Sequence, residues 1–332
     1  MKIISNTKNF FLALYRLFLA AGKGFSEDRV MKLSASLAYY TIFSLTPLII
    51  IVISGATLFL GDRMDPGTEL FSEISEMVGP EATAQLKSFV DQSKLGNKGV
   101  IGLTIGIVTL IIGATAIFIE IQDSINLIWK VKAVPKQGWK KLIVNRLLSF
   151  SLIASMGFLL LVSLVLNSIV VGIGDQLNSL FAKVGIEDVS ELFMLIVTNA
   201  LTLSVVTAIF TIIFKVLPDV DLKWKTAIIG ALFTALMFSL GKYAIGIYIE
   251  KGNPGSAFGA ASSIIVILVW IYYTSVILYF GAEFTQAYAE KYDEGIAPSK
   301  YAVHTEIVIK ERKVAVLPPQ HPEETKVKED ES

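Results

Sequence analysis

Six stretches of the chain are apolar for long enough to matter: residues 33–60, 99–119, 147–173, 192–217, 226–249 and 258–282. Each reaches or exceeds the ~20 residues that a helix, rising ~1.5 Å per residue, needs to cross a hydrocarbon core of ~30 Å. A β-barrel would instead show strands of ~10 residues alternating apolar and polar. Runs such as LIIIVISGATLFL and SIIVILVWIYYTSVILYF do not alternate. The pattern therefore predicts an all-α, polytopic membrane protein with six transmembrane helices.

Three segments outside the spans have their own patterns. Within residues 1–32, positions 8–25 place Asn9, Arg16 and Lys23 on one narrow helical face and Phe and Leu on the rest. This predicts an N-terminal amphipathic helix, either lying in the membrane interface or packed on the ends of the spans. Arg16 interrupts the apolar stretch, and no convincing small-residue cleavage site follows, which argues against a secretory signal. Residues 61–98 carry seven acidic side chains, and GTELFSEISEMV and ATAQLKSFV have helical apolar spacing, so a short helical extracytoplasmic cap is expected there. The calcium-loop arrangement of alternating ligands and glycine is missing, which leaves a solvated acidic face. Residues 293–332 are expected to form a cytoplasmic tail, largely disordered. VHTEIVIKERKVAV has strand-like composition, but an isolated hairpin is marginal in water and a linker is the simpler reading. The transmembrane domain accordingly occupies residues 33–292.

Lys and Arg fix the orientation. Segments 1–32, 120–146, 215–225 and 283–332 hold 22 of the 29, and segments 61–98, 174–190 and 250–257 hold six. The positive-inside rule then places both termini in the cytoplasm. NLIWKVKAVPKQGWKK, with Trp129, Trp139 and five lysines, belongs at the headgroup level of the same side.

Composition narrows the chemistry. Of 332 residues 53% are hydrophobic and 17% charged, with 29 basic against 29 acidic residues, and mean hydropathy is +0.63. Balanced charge argues against a nucleic-acid partner. The absence of cysteine excludes disulfides and thiolate chemistry, and both histidines, His304 and His321, fall in the tail. No metal site, cofactor or catalytic residue is indicated, and no G-x-x-x-x-G-K-[ST] phosphate loop occurs.

SASLAYYTIFSLTPLIIIV, NLIWKV, LPDVDLKWKTAIIGALFTALMFSLGKYAIGIYI and SIIVILVWIYYTSVILYFGAEFTQAYA resemble the YihY/BrkB family in order and spacing, over approximately residues 8–292. The resemblance implies a six-helix protein of the bacterial inner (cytoplasmic) membrane, older labels of virulence factor and ribonuclease BN, and no agreed catalytic residues. RNA hydrolysis needs paired acids and bases or a metal cage beside a basic surface. Here no histidine adjoins the membrane, and the basic residues lie where orientation alone puts them, so a ribonuclease is not expected and neither is any other enzyme.

Three groups of residues remain as functional candidates. Ser36, Tyr40 and Ser44 follow at helical spacing and lead to Pro47, which has no N–H to give to the Phe43 carbonyl; they form a candidate polar pathway or a helix-packing face. Gly99, Gly102, Gly106 and Gly113 line one face of the second span and predict close helix packing. Glu120, Arg146, Lys215 and Glu283 cluster near one membrane boundary as a candidate charge network, because charges at membrane depth must pair or reach water. Lys242 is expected to snorkel. Together these features suit a transporter or flippase-like protein handling a lipid or other amphiphile. Its partners would be membrane lipids and, if it oligomerises, a second copy. The competing reading is a non-transporting envelope scaffold that recruits an envelope protein partner.

Overall fold

The computed structural model describes residues 2–44, 71–72, 75, 80–93, 99–134, 187–252, 258 and 262–306. Within these, the long elements are helical: α1 (Lys2–Glu27), α2 (residues 30–44), α3 (Pro80–Ser93), α4 (Gly99–Ile128), α5 (Glu187–Val216), α6 (Trp224–Gly252) and α7 (Ser262–Tyr292). Two-stranded ladders join β1 (Val131–Ala133) to β4 (Ala302–His304) and β2 (Val220–Asp221) to β3 (Ala297–Pro298), both antiparallel. The third span, 147–173, and Pro47 lie outside the described residues.

Ile196–Val216, Trp224–Gly252 and Ile264–Tyr292 are each long and apolar enough to cross a membrane. Only 28–44% of each apolar window is buried inside the structure. Helices this long and apolar, with Ile196, Ile228, Leu232, Leu236 and Leu240 left exposed, belong in hydrocarbon.

Helices α6 and α7 approach closely through a reciprocal pair of Gly-x-x-x-Thr segments. A Cβ at Gly230 would overlap Thr285, and one at Gly281 would overlap Thr234. Each threonine also donates its hydroxyl back to the glycine of its own helix, Thr234 to the Gly230 carbonyl and Thr285 to the Gly281 carbonyl, both at 2.7 Å. The hydroxyls are thus satisfied where no water reaches, and the threonine side chains, hydroxyl oxygen foremost, fill the space left by the partner helix's missing side chains. Phe233 stacks on Phe284 beside them, with centroids 3.7 Å apart.

Helix α1 lies on this pair: Leu17 and Ala21 pack with Phe284 and Ala287, and Phe18 sets its edge on Phe233 and Phe280. Leu12, Tyr15 and Leu19 stay exposed. The N-terminal helix therefore buries one apolar side against the bundle and keeps a second for its surroundings.

Three helices end at the same end of the bundle on charged residues in left-handed conformation: Arg29 (φ 53°), Lys130 (φ 56°) and Glu294 (φ 63°). Glu294 and Gly295 close α7, where the Ala289 carbonyl accepts from both the Asp293 N–H at 2.8 Å and the Gly295 N–H at 3.1 Å, so a carbonyl of the last turn is satisfied by the chain leaving the helix. Beyond it the chain differs from the linker expected there. Residues 297–305 stitch two other connections together: Ser299 N–H donates to Asp219 O at 3.0 Å, Val134 N–H to Tyr301 O at 2.9 Å, and Thr305 N–H to Lys130 O at 2.8 Å. The physical reason is that the partners are supplied by the α4 and α5 ends, so no isolated hairpin has to form. Residues 307–332 lie outside the described residues.

Candidate functional site

Two features dominate: an apolar cavity between the helices, and a buried polar clasp at the strand-bearing end. The cavity, about 300 Å³, is walled chiefly by Leu37 of α2, Leu86 of α3, Ile117 and Ile121 of α4, Phe210 and Ile213 of α5, and Trp270 and Leu278 of α7. Thr41, Thr274 and Ser275 also line it, but their hydroxyls donate to Leu37, Trp270 and Ile271 carbonyls at 2.7, 3.0 and 2.8 Å. With those donors occupied, the wall presents hydrocarbon. Trp129, Phe214, Phe210, Phe238 and Trp270 form a chain of ring contacts from the clasp to the cavity.

The clasp is built from helix ends. Pro218 stops α5, and the turn after it buries Asp219 to 3% exposure. Gln122 and Asn126, one turn apart on α4, face this residue. Asn126 Nδ2 donates to Asp219 Oδ2 at 2.8 Å, Gln122 Nε2 donates to Oδ1 at 3.2 Å, and the Asp219 N–H donates to Asn126 Oδ1 at 2.9 Å. Both carboxylate oxygens are occupied, so Asp219 is a fastening rather than a base. Tyr301 stands beside it, and burial, followed by the Asp219 charge, raises the phenol above its usual range. Nearby, Asp293 accepts from the Thr226 hydroxyl and from Lys223 Nζ at 3.4 Å; the Thr226 bond is the main cause that holds this carboxyl below its ordinary range, with Lys223 and Lys225 adding to it.

Glu283 is different. It is 4% exposed, its carboxyl lies against the Cα of Gly24, and among the described residues its Oε1 has no hydrogen-bond partner. Asp28, at the α1–α2 elbow, is paired with Lys130 at the end of α4, and both charges act on Glu283. Next to it, the Trp129 indole donates to the Ala282 carbonyl at 3.0 Å.

The sequence candidates distribute as follows. Lys215 donates to the Leu222 carbonyl and stands 5.7 Å from the Trp224 ring. Glu120, half-buried on α4, is within electrostatic reach of Tyr279. Glu283 belongs with Asp28 and Lys130, and Arg146 lies outside the described residues. Glu120, Lys215 and Glu283 thus go to three separate sets of partners. Ser44 is buried and donates to the Thr41 carbonyl at 3.0 Å; Ser36 is half-buried and Tyr40 exposed. A Cβ at Gly113 would come within 2.7 Å of the Ser44 Cβ, so the small-residue face of α4 meets the hydroxyl face of α2. The surroundings of Gly99, Gly102 and Gly106 lie outside what is described. Lys242 sets its ammonium 5.4 Å from the Tyr243 ring. Among the described residues, no group of three or more His, Cys, Asp or Glu is placed to hold a metal.

Asn126, Gln122, Asp219, Asp28 and Lys130 escaped the sequence reading. The available signal was the pair of amides one turn apart beside Ile121, Ile125 and Ile128, polar groups on a helix side that is otherwise apolar.

A bundle of long apolar helices fastened by polar caps defines a helical membrane protein. The family described as Virulence factor BrkB matches residues 21–304, and the chain belongs to it. Relatives are named UPF0761 membrane proteins. That of Saccharophagus degradans is 26% identical over 300 residues, which is 87% of this chain and 63% of the relative. That of Pseudomonas paraeruginosa is 28% identical over 264 residues, 78% of this chain and 59% of the relative. That of Paraburkholderia xenovorans is 27% identical over 281 residues, 82% and 60% respectively. The chain thus spans about three fifths of the length of these curated relatives. No solved structure matches it.

Proposed function

We propose that the chain crosses a bacterial inner membrane six times, with its strand-bearing end and both termini in the cytoplasm, and moves or shelters one chain of a lipid or other amphiphile. The observation that carries this reading is the cavity: about 300 Å³ of space inside the bundle, with its lining hydroxyls turned to their own helices. Ligand pockets range over roughly 300–1,000 Å³, so the space suits part of an acyl chain rather than a whole headgroup. Half-buried Ser36 and exposed Tyr40 of α2 would offer the headgroup its polar route, and Gly113, against Ser44, would let α2 and α4 pack closely.

Reconstitution of the purified chain into vesicles with a fluorescent phospholipid tests the proposal. Chemical bleaching should proceed beyond the outer leaflet, and Ile213→Trp, which fills the cavity, should slow it about tenfold or more while leaving folded yield intact; a factor of ten corresponds to about 1.4 kcal/mol of barrier. Bleaching confined to the outer leaflet would favour the scaffold, with the extracytoplasmic cap and the tail as its recruiting surfaces.

A further inference from the structure

Most buried polar groups at the clasp are satisfied, and the exceptions are informative. Ser34 Oγ, Tyr279 OH and Glu283 Oε1 have no partner among the described residues, and only Glu283 carries an ionisable group able to exist in two charge states within the ordinary pH range. Its site joins three elements: the α1–α2 elbow contributes Gly24, Glu27 and Asp28, the end of α4 contributes Lys130, and α7 contributes Glu283 itself. Glu27 is exposed and lies 3.6 Å from Lys23, whereas the Asp28 side chain is 8% exposed and already holds Lys130. Lys130, half-buried with 33% of its side chain exposed, therefore pairs with one buried acid and acts electrostatically on a second. With Glu283 ionised the site carries one excess negative charge; with a proton on Glu283 it is neutral, and the new O–H becomes a donor to Asp28.

We propose that Glu283 is a proton-exchange site, taking a proton from water and returning it where the elbow, the α4 end and α7 meet. Both states have a place in the geometry, since the protonated acid gives its O–H to Asp28 and the ionised one relies on Lys130. Position gives the exchange a consequence. Glu283 lies five residues beyond Leu278, about 7.5 Å along the helix axis from a wall of the cavity, and its neighbour Ala282 is fastened to Trp129. A change of charge at Glu283 alters how firmly α1 and α4 hold α7. The inference does not depend on lipid handling, because proton uptake is measured without any transport.

Infrared difference spectra between about pH 5 and pH 9, on the full chain in lipid vesicles, test it. A carboxylic C=O band should appear on acidification at higher frequency than hydrated acids, because Oε1 accepts no hydrogen bond. Glu283→Gln should abolish that band, and Glu290→Gln, at an exposed position, should leave it. Asp28→Asn and Lys130→Met should move its midpoint in opposite senses, because they remove opposite charges. Absence of the band in the unmodified chain, or its survival in Glu283→Gln, overturns the proposal. If Glu283→Gln does not fold, the opposed shifts of the other two variants support the assignment, and equal or absent shifts overturn it.

Discussion

At Asn126 one side-chain amide does two things: it donates to the Asp219 carboxylate and accepts from the Asp219 N–H. That pairing fixes which end of the amide is oxygen, and it matches the amide's donor and acceptor to one residue. Asn126→Leu keeps the volume and removes both bonds, leaving a buried carboxylate and a buried N–H short of partners. A loss on the order of 1–3 kcal/mol is expected, at the upper end because the acceptor is charged, and thermal unfolding in detergent will read it. Asp293 supplies a pH dependence whose sign is determined. Its folded carboxyl sits below the ordinary range, chiefly through the Thr226 hydroxyl, so its stabilisation is present above the unfolded value of about 3.9 and disappears as pH falls through the folded value. Stability measured down the acid limb should therefore fall less steeply in Asp293→Asn than in the unmodified chain.

Among the elements, α6 and α7 show how glycine position decides packing. Gly281 has the Thr234 side chain where its own Cβ would be, whereas Gly22 of α1 has nothing within 4 Å. Gly281→Val should cost about 1–3 kcal/mol through overpacking. Gly22→Ala should stabilise by up to about 1 kcal/mol, because it removes only backbone freedom from an exposed helical position. Unfolding midpoints of the two variants should move in opposite directions. The helices themselves were legible: apolar runs at 192–217, 226–249 and 258–282 coincide with α5, α6 and α7. Their ends were not. Arg29, Lys130 and Glu294 adopt the left-handed conformation usually given to glycine, at a cost of roughly 1–2 kcal/mol each; tertiary partners such as Asp28 for Lys130 hold that conformation, and no local signal announces it.

For the molecule as a whole, the distribution of 22 basic residues against six makes an orientation testable. The native chain has no cysteine, so single replacements report cleanly. Ser72→Cys should react with an impermeant maleimide added to intact cells, and Lys300→Cys only after the membrane is opened. The reverse pattern would invert the orientation. Lys300 is the more demanding position, since it belongs to the segment that joins β3 to β4 and ties the ends of α4 and α5 together.

Hydropathy by itself determined that this chain is helical and belongs in a membrane, because ~20-residue apolar runs have no other place to go in water. It also singled out Gly113 and Ser44 by spacing, although not that the two face each other. What only the tertiary structure decided is pairing across long separations: Asn126 with Asp219, Glu283 with Asp28 and Lys130, Thr234 with Gly281, and Ala302–His304 with Val131–Ala133. The physical reason is that hydrophobic burial depends on the local periodicity of one element, which a sequence displays. A hydrogen bond or ion pair instead depends on two groups meeting within about 3 Å, and their separation along the chain says nothing of that distance.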